Sequence, residues 1–179
     1  MSKQWVLVGC VVLGLVAGAT LLATYAPELE RVEVGARAPD FTAVDLATGD
    51  SVSLRERYRG SVTLVNIWAT WCVPCRVEMP AMERVYQALA PRGFKIAAVS
   101  IDEGSPEEVR AFGKELGISF DILQDRSTAV QQAYQTTGVP ESFLLNRDGV
   151  IVKRVIGAHD WGSEVNRKLI ERLLDEQGS

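Results

Sequence analysis

The stretch "NIWATWCVPCRVEMP", from Asn66 to Pro80, decides the fold because two different hydrophobic patterns meet at its two cysteines. The run that leads into it, "SVTLVNIWA" (61–69), is β-branched and almost wholly apolar, which predicts a central strand buried on both faces. After the cysteines, apolar residues recur at helical spacing: Val77, Ala81, Val85 and Leu89. Cys72 and Cys75 are therefore expected at a strand-to-helix junction.

The rest of the chain alternates strand-like and helix-like patterns around this junction. Residues 34–60 predict short strands and turns, because apolar and polar residues alternate there between glycines and prolines. The later elements are a buried strand (94–102), a helix capped by Ser105 with Pro106 first, an apolar segment (118–125), a short helix (127–134), a hairpin (141–157) and a closing amphipathic helix with Trp161, Val165, Leu169, Ile170 and Leu173. This order predicts an α/β fold with a mixed central sheet flanked by helices.

The Cys72–Cys75 pair has three possible uses: a structural disulfide, part of a metal site, or a redox pair. A disulfide that closes so short a loop removes little chain entropy from the unfolded state, so a purely structural role is weak. A metal site would need further ligands, but the chain has only one more cysteine, Cys10, and one histidine, His159. The redox use is favoured, and no metal is expected.

The first residues are predicted to form a transmembrane anchor. The stretch 5–26 has no charged residue and is about as long as a helix that crosses a bilayer. Because Lys3 precedes this stretch and acids follow it, residues 1–4 are expected in the cytoplasm, with a linker (27–33) and a domain (34–179) on the other side. The expected location is the inner membrane of a bacterium, in a single pass, with the catalytic domain facing the periplasm or the cell exterior and residues 5–26 in the lipid bilayer.

Two other readings of this segment stay open. A cleaved signal peptide is one, with small residues at 17–19 or 24–26 as cleavage sites. The other is a lipoprotein, because "LVGC" (7–10) resembles a lipoprotein box.

Length, composition and charge limit the function classes. With 179 residues, 47% of them hydrophobic, the chain can form one domain of ordinary size plus an extra segment. The formal net charge is −4, and no block of Lys and Arg is interleaved with aromatic residues. Nucleic acid is therefore excluded as a partner.

Several motifs together resemble the thioredoxin fold: "WCVPC" (71–75) after a buried strand, Pro80 five residues beyond Cys75, and "GVPESF" (138–143) before the hairpin. Three further features narrow the resemblance to one group within this fold: the expected N-terminal strands, the stretch "FTAVDLATG" (41–49) and the anchor. Over about residues 34–174 the chain resembles the membrane-anchored thiol-disulfide oxidoreductases of the TlpA, ResA and CcmG type, with the TlpA-like branch as first choice. The resemblance implies a thioredoxin-like fold with added N-terminal strands.

The cysteine motif suits thiol chemistry if it lies at a helix N-terminus. Disulfide exchange needs a thiolate, so the pKa of one thiol must fall from ~8.5 toward the ambient pH. Cys72 would face unpaired backbone N–H groups and the positive end of the helix dipole, which predicts it as the attacking nucleophile. Cys75 is predicted to be the more buried, resolving thiol. Val73 and Pro74 are expected to tune the reduction potential, and Trp71 to shield the sulfur or contact the substrate. No cofactor beyond this redox-active disulfide is expected.

The acid that accepts the proton of the resolving thiol is less obvious. The position that matches the buried acid of thioredoxin is Asn66, which cannot accept a proton. The resemblance to ResA-like proteins implies Glu103 as an active-site carboxylate, which would perturb the pKa of both thiols. Its neighbour Asp102 is the alternative, since successive side chains of a strand point to opposite faces. Both acids could also be solvated residues that precede a helix.

Val139 and Pro140 match the cis-proline loop of the thioredoxin family. A cis bond there would place the Val139 backbone against Cys72, so that a substrate strand could add main-chain hydrogen bonds beside the attacked sulfur. An ordinary trans proline is the alternative. His159 and Trp161 are expected at the start of the last helix, without a catalytic role.

The resemblance implies a protein-disulfide reductant, kept reduced by a membrane electron donor of the thiol-reducing type. Its substrates would be exported protein thiols or disulfides, such as apocytochrome c or a copper-site assembly factor. One alternative is a copper-binding assembly protein that uses the cysteine pair and His159, although the Sco-type chaperones it resembles carry a wider cysteine spacing. The other is a peroxiredoxin-like peroxidase, whose Pro-x-x-x-Thr-x-x-Cys pattern the chain lacks.

Overall fold

The computed structural model describes residues 3–25 and 32–176, and the chain divides into two units, Met1–Glu30 and Arg31–Ser179. The first unit contains helix α1 (Lys3–Tyr25). Across the described ranges, no helix has both the length and the apolar character that membrane crossing requires. The described residues do not include residues 1–2 of the predicted cytoplasmic segment, residue 26 of the predicted anchor, residues 27–31 of the predicted linker or residues 177–179 of the predicted domain. The anchor itself stays a prediction.

The second unit is an α/β domain in which strands and helices mostly alternate. Its strands are β1 (Thr42–Asp45), β2 (Ser51–Ser53), β3 (Val62–Trp68), β4 (Phe94–Ser100), β5 (Asp121–Gln124), β6 (Glu141–Leu145) and β7 (Ile151–Ile156). Its helices are α2 (Leu54–Arg57), α3 (Val73–Leu89), α4 (Pro106–Glu115), α5 (Ala129–Ala133) and α6 (Glu164–Asp175), with a 3₁₀ turn (Ala90–Arg92) after α3.

The strands form one mixed sheet in the order β2-β1-β5-β4-β3-β6-β7. The central strands β3, β4 and β5 are parallel, and all other neighbours are antiparallel. Every residue of β3 is buried, as expected for a strand covered on both faces. The added N-terminal strands β1 and β2 extend the sheet at one edge. The predicted thioredoxin-like fold class is confirmed.

Two apolar clusters hold the sheet between its helices. The cluster on one face contains side chains of α3, α4 and α6, among them Met79, Phe112 and Ile170. The other face packs against α2, α5 and the segment that precedes β1. Alternate residues of β3 divide between the faces, so that Leu64 joins the first cluster and Val65 the second. Asn66 lies on the same face as Leu64, beneath α3.

Local departures from the predicted elements have simple physical causes. The region predicted as strands and turns also contains the four-residue helix α2, whose first turn is capped by the Ser53 hydroxyl. On α6, Val165 has helical spacing with the other apolar residues of the segment, but its side chain is 77% exposed and the neighbouring Asn166 is buried instead. Trp161 is fully buried but precedes the helix, which begins after Ser163.

The start of the domain yields a stability prediction. Val32, two residues before the predicted boundary, is only 4% exposed, and its carbonyl accepts a hydrogen bond from Arg154 Nη1 at 2.9 Å. We expect a protein that begins at Arg31 to fold alone, and one that begins at Val34 to lose about 2 kcal/mol of unfolding free energy, because it lacks this apolar burial and this acceptor. Urea unfolding of both proteins measures the difference.

A matched control for this prediction is Val34→Ala in the protein that begins at Arg31. The Val34 side chain is 60% exposed, so its truncation should leave the urea midpoint almost unchanged. Equal stability of the proteins that begin at Arg31 and Val34 would show that Val32 contributes nothing.

Candidate active site

Cys72 and Cys75 form a disulfide at the N-terminus of α3, with 5.3 Å between their Cα atoms. Cys72 is the N-cap residue, and its Sγ accepts a hydrogen bond from the backbone N–H of Cys75 at 3.2 Å. Cys72 is 4% exposed and Cys75 is fully buried. Of the two cysteines, only Cys72 therefore has any exposed surface, and it lies at a helix end that favours a negative charge.

The loop that leads into Cys72 is held by a buried carboxylate. Asp102, which follows β4, accepts hydrogen bonds from the Thr70 backbone N–H at 2.9 Å and from the Thr70 hydroxyl at 2.6 Å. The Ser100 hydroxyl donates to the same carboxylate at 2.6 Å. Because Thr70 lies two residues before Cys72, Asp102 fixes the backbone from which the nucleophile extends.

A second buried carboxylate, Glu78, lies on the same helix face as Cys75. Residues three apart on a helix are neighbours, so the Glu78 and Cys75 side chains project together under the first turns of α3. Glu78 is 3% exposed. Its Oε1 accepts a hydrogen bond from Asn66 Nδ2 at 2.8 Å, and its Oε2 accepts one from the backbone N–H of His159 at 3.0 Å.

Burial controls the protonation of Glu78. Loss of solvent raises the pKa of this carboxyl to about 7, although the hydrogen bonds from His159 and Asn66 act in the opposite direction. A carboxyl with a pKa near neutrality can both accept and release a proton under ordinary conditions. Glu78 therefore has the properties of an acid–base group.

Sequence reasoning missed Glu78 and favoured Glu103. The structure places the Glu103 side chain in solvent, and its backbone carbonyl accepts a hydrogen bond from Arg126 Nε. Its neighbour Asp102 is the buried one of the two and binds Thr70. The acid role of Glu103 stays a prediction, and Glu78 is a more buried candidate for it.

The Val139–Pro140 peptide bond is cis, as the cis-proline prediction required. Pro140 is buried directly before β6, and Val139 packs against the apolar cluster that contains both cysteines. The next residue, Glu141, is fully buried and pairs with Arg154 at 2.7 Å. The loop and the disulfide therefore border the same cluster.

Four apolar residues close to the two cysteines in sequence are exposed on the protein surface. Trp71 is 67%, Val73 73% and Val77 71% exposed, and Pro74 is also exposed. Val77 shares the helical spacing of Ala81, Val85 and Leu89 but not their burial, because the inward face of the first turns is set by Cys75, Glu78 and Met79. These four exposed residues, Trp71, Val73, Pro74 and Val77, are called the apolar rim below.

Metal binding receives no support from the described part of the chain. In residues 3–25 and 32–176, no group of three or more His, Cys, Asp or Glu side chains could hold a metal ion. His159, which the copper alternative would need, has its Nε2 atom 3.1 Å from Lys153 Nζ and 2.9 Å from Asn166 Nδ2.

A Cys-x-x-Cys disulfide at a strand-to-helix junction, next to a cis-proline loop in a mixed sheet, defines a thioredoxin-fold thiol-disulfide oxidoreductase. Comparison with known proteins agrees. The Redoxin family model matches residues 33–170, and the chain belongs to this family.

The relatives point to the same activity. The chain is 32% identical to the thiol-disulfide oxidoreductase ResA of Bacillus cereus (strain ZK / E33L), over 88% of this chain and 91% of the relative. It is 34% identical to the thioredoxin-like protein YneN of Bacillus subtilis (strain 168), over 98% and 99%. A crystal structure of a putative thiol:disulfide interchange protein DsbE from Chlorobium tepidum superposes with a TM-score of 0.72, at 27% identity, over 80% and 99%. The protein is a thiol-disulfide oxidoreductase of the ResA/CcmG type, while the preference for a TlpA-like branch stays a prediction.

Proposed function

We propose that the protein is a dithiol reductant of exported proteins, with Cys72 and Cys75 as its redox pair. The observation that carries the proposal is the layout of α3, where Cys72 lies at the helix N-terminus and the fully buried Cys75 lies three residues before the buried Glu78 on the same helix face. The activity named for the relatives supports disulfide exchange. The direction of exchange and the identity of the clients belong to the proposal.

In the first step, the Cys72 thiolate of the reduced protein attacks one sulfur of a client disulfide. A bond forms between Cys72 Sγ and that sulfur, and the other client sulfur leaves as a thiolate. The helix dipole and the Cys75 backbone N–H, which donates to Cys72 Sγ, favour the charged form of the nucleophile.

In the second step, Cys75 releases the client. Glu78 accepts the proton of the Cys75 thiol. The resulting thiolate attacks Cys72 Sγ and displaces, as a thiolate, the client sulfur that was bound to Cys72 in the first step. Two electrons pass from the dithiol to the client. The client thiolates take up the proton held by Glu78 and the proton that Cys72 released, so the protein ends as the Cys72–Cys75 disulfide.

The apolar rim is the proposed contact surface for clients. Trp71 and Val73 flank the accessible sulfur in sequence, and an unfolded or extended client can cover them with its own apolar side chains. The Val139 backbone beside Pro140 would supply main-chain hydrogen bonds to such a client strand.

The proposal places this chemistry outside the cytoplasm of a bacterium, with the chain held in the inner membrane by residues 5–26. Its support is the uncharged run at these positions, with Lys3 before it and acids after it. Apocytochrome c and copper-site assembly factors are the proposed clients, and a membrane thiol reductant would restore the dithiol. Extraction of membranes with alkaline carbonate, together with protease treatment of intact spheroplasts, tests the location.

Client reduction tests the function directly. We expect the reduced Cys10→Ser protein to convert the disulfide of an apocytochrome c peptide, or of a copper-site assembly factor, into two thiols with loss of one protein dithiol. Mass spectrometry of alkylated products counts both. Reduction of a small-molecule disulfide without reduction of either protein client would contradict the client class, and faster oxidation of reduced clients would contradict the direction.

A further inference from the structure

The loop before α6, whose His159 backbone N–H donates to Glu78, is held in place by a cluster of polar side chains from three separate parts of the chain. The cluster consists of Lys153 on β7, His159 in the loop before α6, and Asn166 on α6. Asn166 is 2% exposed, and Lys153 and His159 are half-buried. The proposed function gives this cluster no task.

The hydrogen bonds of the cluster have a defined direction. Asn166 Nδ2 donates to the Asp160 carbonyl at 2.6 Å, which fixes the orientation of the amide and leaves Oδ1 to accept from Lys153 Nζ at 2.6 Å. His159 Nε2 lies within hydrogen-bond distance of Lys153 Nζ and Asn166 Nδ2, and both are donors. His159 Nε2 therefore lies between two polar groups that hold the ring in place from β7 and from α6.

These contacts fix the backbone of residues 159–160 from both sides. Lys153 and Asn166 hold the His159 ring, Asn166 also holds the Asp160 carbonyl, and the ring packs edge-on against the buried Trp161 with 5.0 Å between centroids. The His159 backbone N–H is the group that donates to Glu78 Oε2. The position of that donor therefore depends on the cluster.

We infer that Lys153, His159 and Asn166 are positioning residues that set the acidity of Glu78 through the His159 backbone N–H. This inference rests on the proposed role of Glu78. A hydrogen bond from a neutral N–H stabilises the ionised carboxylate more than the protonated form, so a firmly held donor lowers the pKa of Glu78. A loosened donor should raise it.

The other groups around Glu78 do not provide the same control. Asn66 on β3 donates to Oε1 and also to the Ser142 hydroxyl on β6, and neither residue titrates. Cys75 lies on the same helix and is bound in the disulfide. Among the residues that contact the cluster, the charged ones are Lys153, bonded to Asn166, and Asp160, whose carbonyl accepts from Asn166. Glu141, also on β6, points to the opposite face of the sheet and pairs with Arg154.

The test is a pH titration of Glu78 in the oxidised full-length protein. The infrared band of the protonated Glu78 carboxyl measures how much of it is protonated at each pH. Glu78→Gln identifies the band, because it is absent from that variant. Lys153→Met keeps a side chain of similar length but removes the contacts of Lys153 Nζ with His159 and Asn166. In this variant we expect the titration midpoint of Glu78 to rise by about one pH unit. Lys153→Arg, which retains a donor, should restore most of the shift, and the exposed Lys95→Met should titrate like the unmodified protein.

Each outcome decides the inference. An unchanged midpoint in Lys153→Met with native near-ultraviolet circular dichroism overturns it. If Lys153→Met does not fold, Asn166→Ala provides the same test, because it removes the other donor to His159 and the bond to Asp160. The oxidised protein has no free thiol at the active site, so this titration does not depend on exchange. A shifted midpoint with normal exchange in Glu78→Gln would contradict only the proposed function of Glu78.

Discussion

Exchange with protein disulfides should fall to the uncatalysed rate when Cys72 is replaced by serine. A serine hydroxyl is not ionised near neutral pH and does not attack a disulfide, and the remaining thiol, Cys75, is fully buried at the active site. The measurement is the rate of thiol appearance in a disulfide client. It is best made in a Cys10→Ser background, because Cys10 is an exposed free cysteine.

The matched variant is Cys75→Ser. It keeps the nucleophile but cannot complete the second step, so it should accumulate a mixed disulfide between Cys72 and the client. Non-reducing electrophoresis and mass spectrometry detect this adduct. Equal amounts of adduct in the two variants would mean that the roles of nucleophile and resolving thiol are wrongly assigned.

Replacement of Glu78 by glutamine should slow release of the client on the order of 10²-fold at pH 7. A solvent-exposed thiol with an ordinary pKa of ~8.5 is only about 3% ionised at that pH, so a base could speed its reaction by at most roughly 30-fold. Cys75 is fully buried, which makes its ionisation without a base rarer still and increases the expected effect to about 10²-fold. In the unmodified protein the release rate should rise as Glu78 ionises through about pH 7. In Glu78→Gln this rise should disappear and leave only the ionisation of the thiol at higher pH.

Stopped-flow decay of the preformed mixed disulfide, recorded against pH, measures this step alone. Glu103→Gln is the comparison, because the resemblance predicted that acid and the structure exposes its side chain. If Glu103→Gln changes the profile and Glu78→Gln does not, the proton passes through Glu103 and the present assignment fails.

The position of Cys75 in the sequence is enough to predict that Glu78 is buried. A helix that buries Cys75 also buries the residues three and four positions later, which are Glu78 and Met79. A rule that places apolar residues inward selects Val77 instead, which is exposed. Around the disulfide that rule fails, since apolar residues at a contact surface are exposed and an acid–base group is buried.

The succession of strands and helices along the chain, the strand-to-helix junction and the cis-proline loop could be predicted because each has a local signature in the sequence. The partners of Glu78 have none. Asn66, His159 and the residues that hold His159 lie on different strands, loops and helices, and they meet only when the sheet brings β3 and β7 under α3 and α6. Only tertiary contact distinguishes such residues from ordinary polar ones.

Pro80 has a mechanical consequence for the redox pair. It lies inside α3 and has no backbone N–H, so the carbonyl of Arg76, four residues earlier, lacks its usual helical donor. One link is therefore missing between the first turn, which carries Cys72 and Cys75, and the long remainder of the helix that packs on the sheet. The turn whose two sulfurs form and break their bond is therefore joined to the packed part of the helix by one backbone hydrogen bond fewer than in a regular helix.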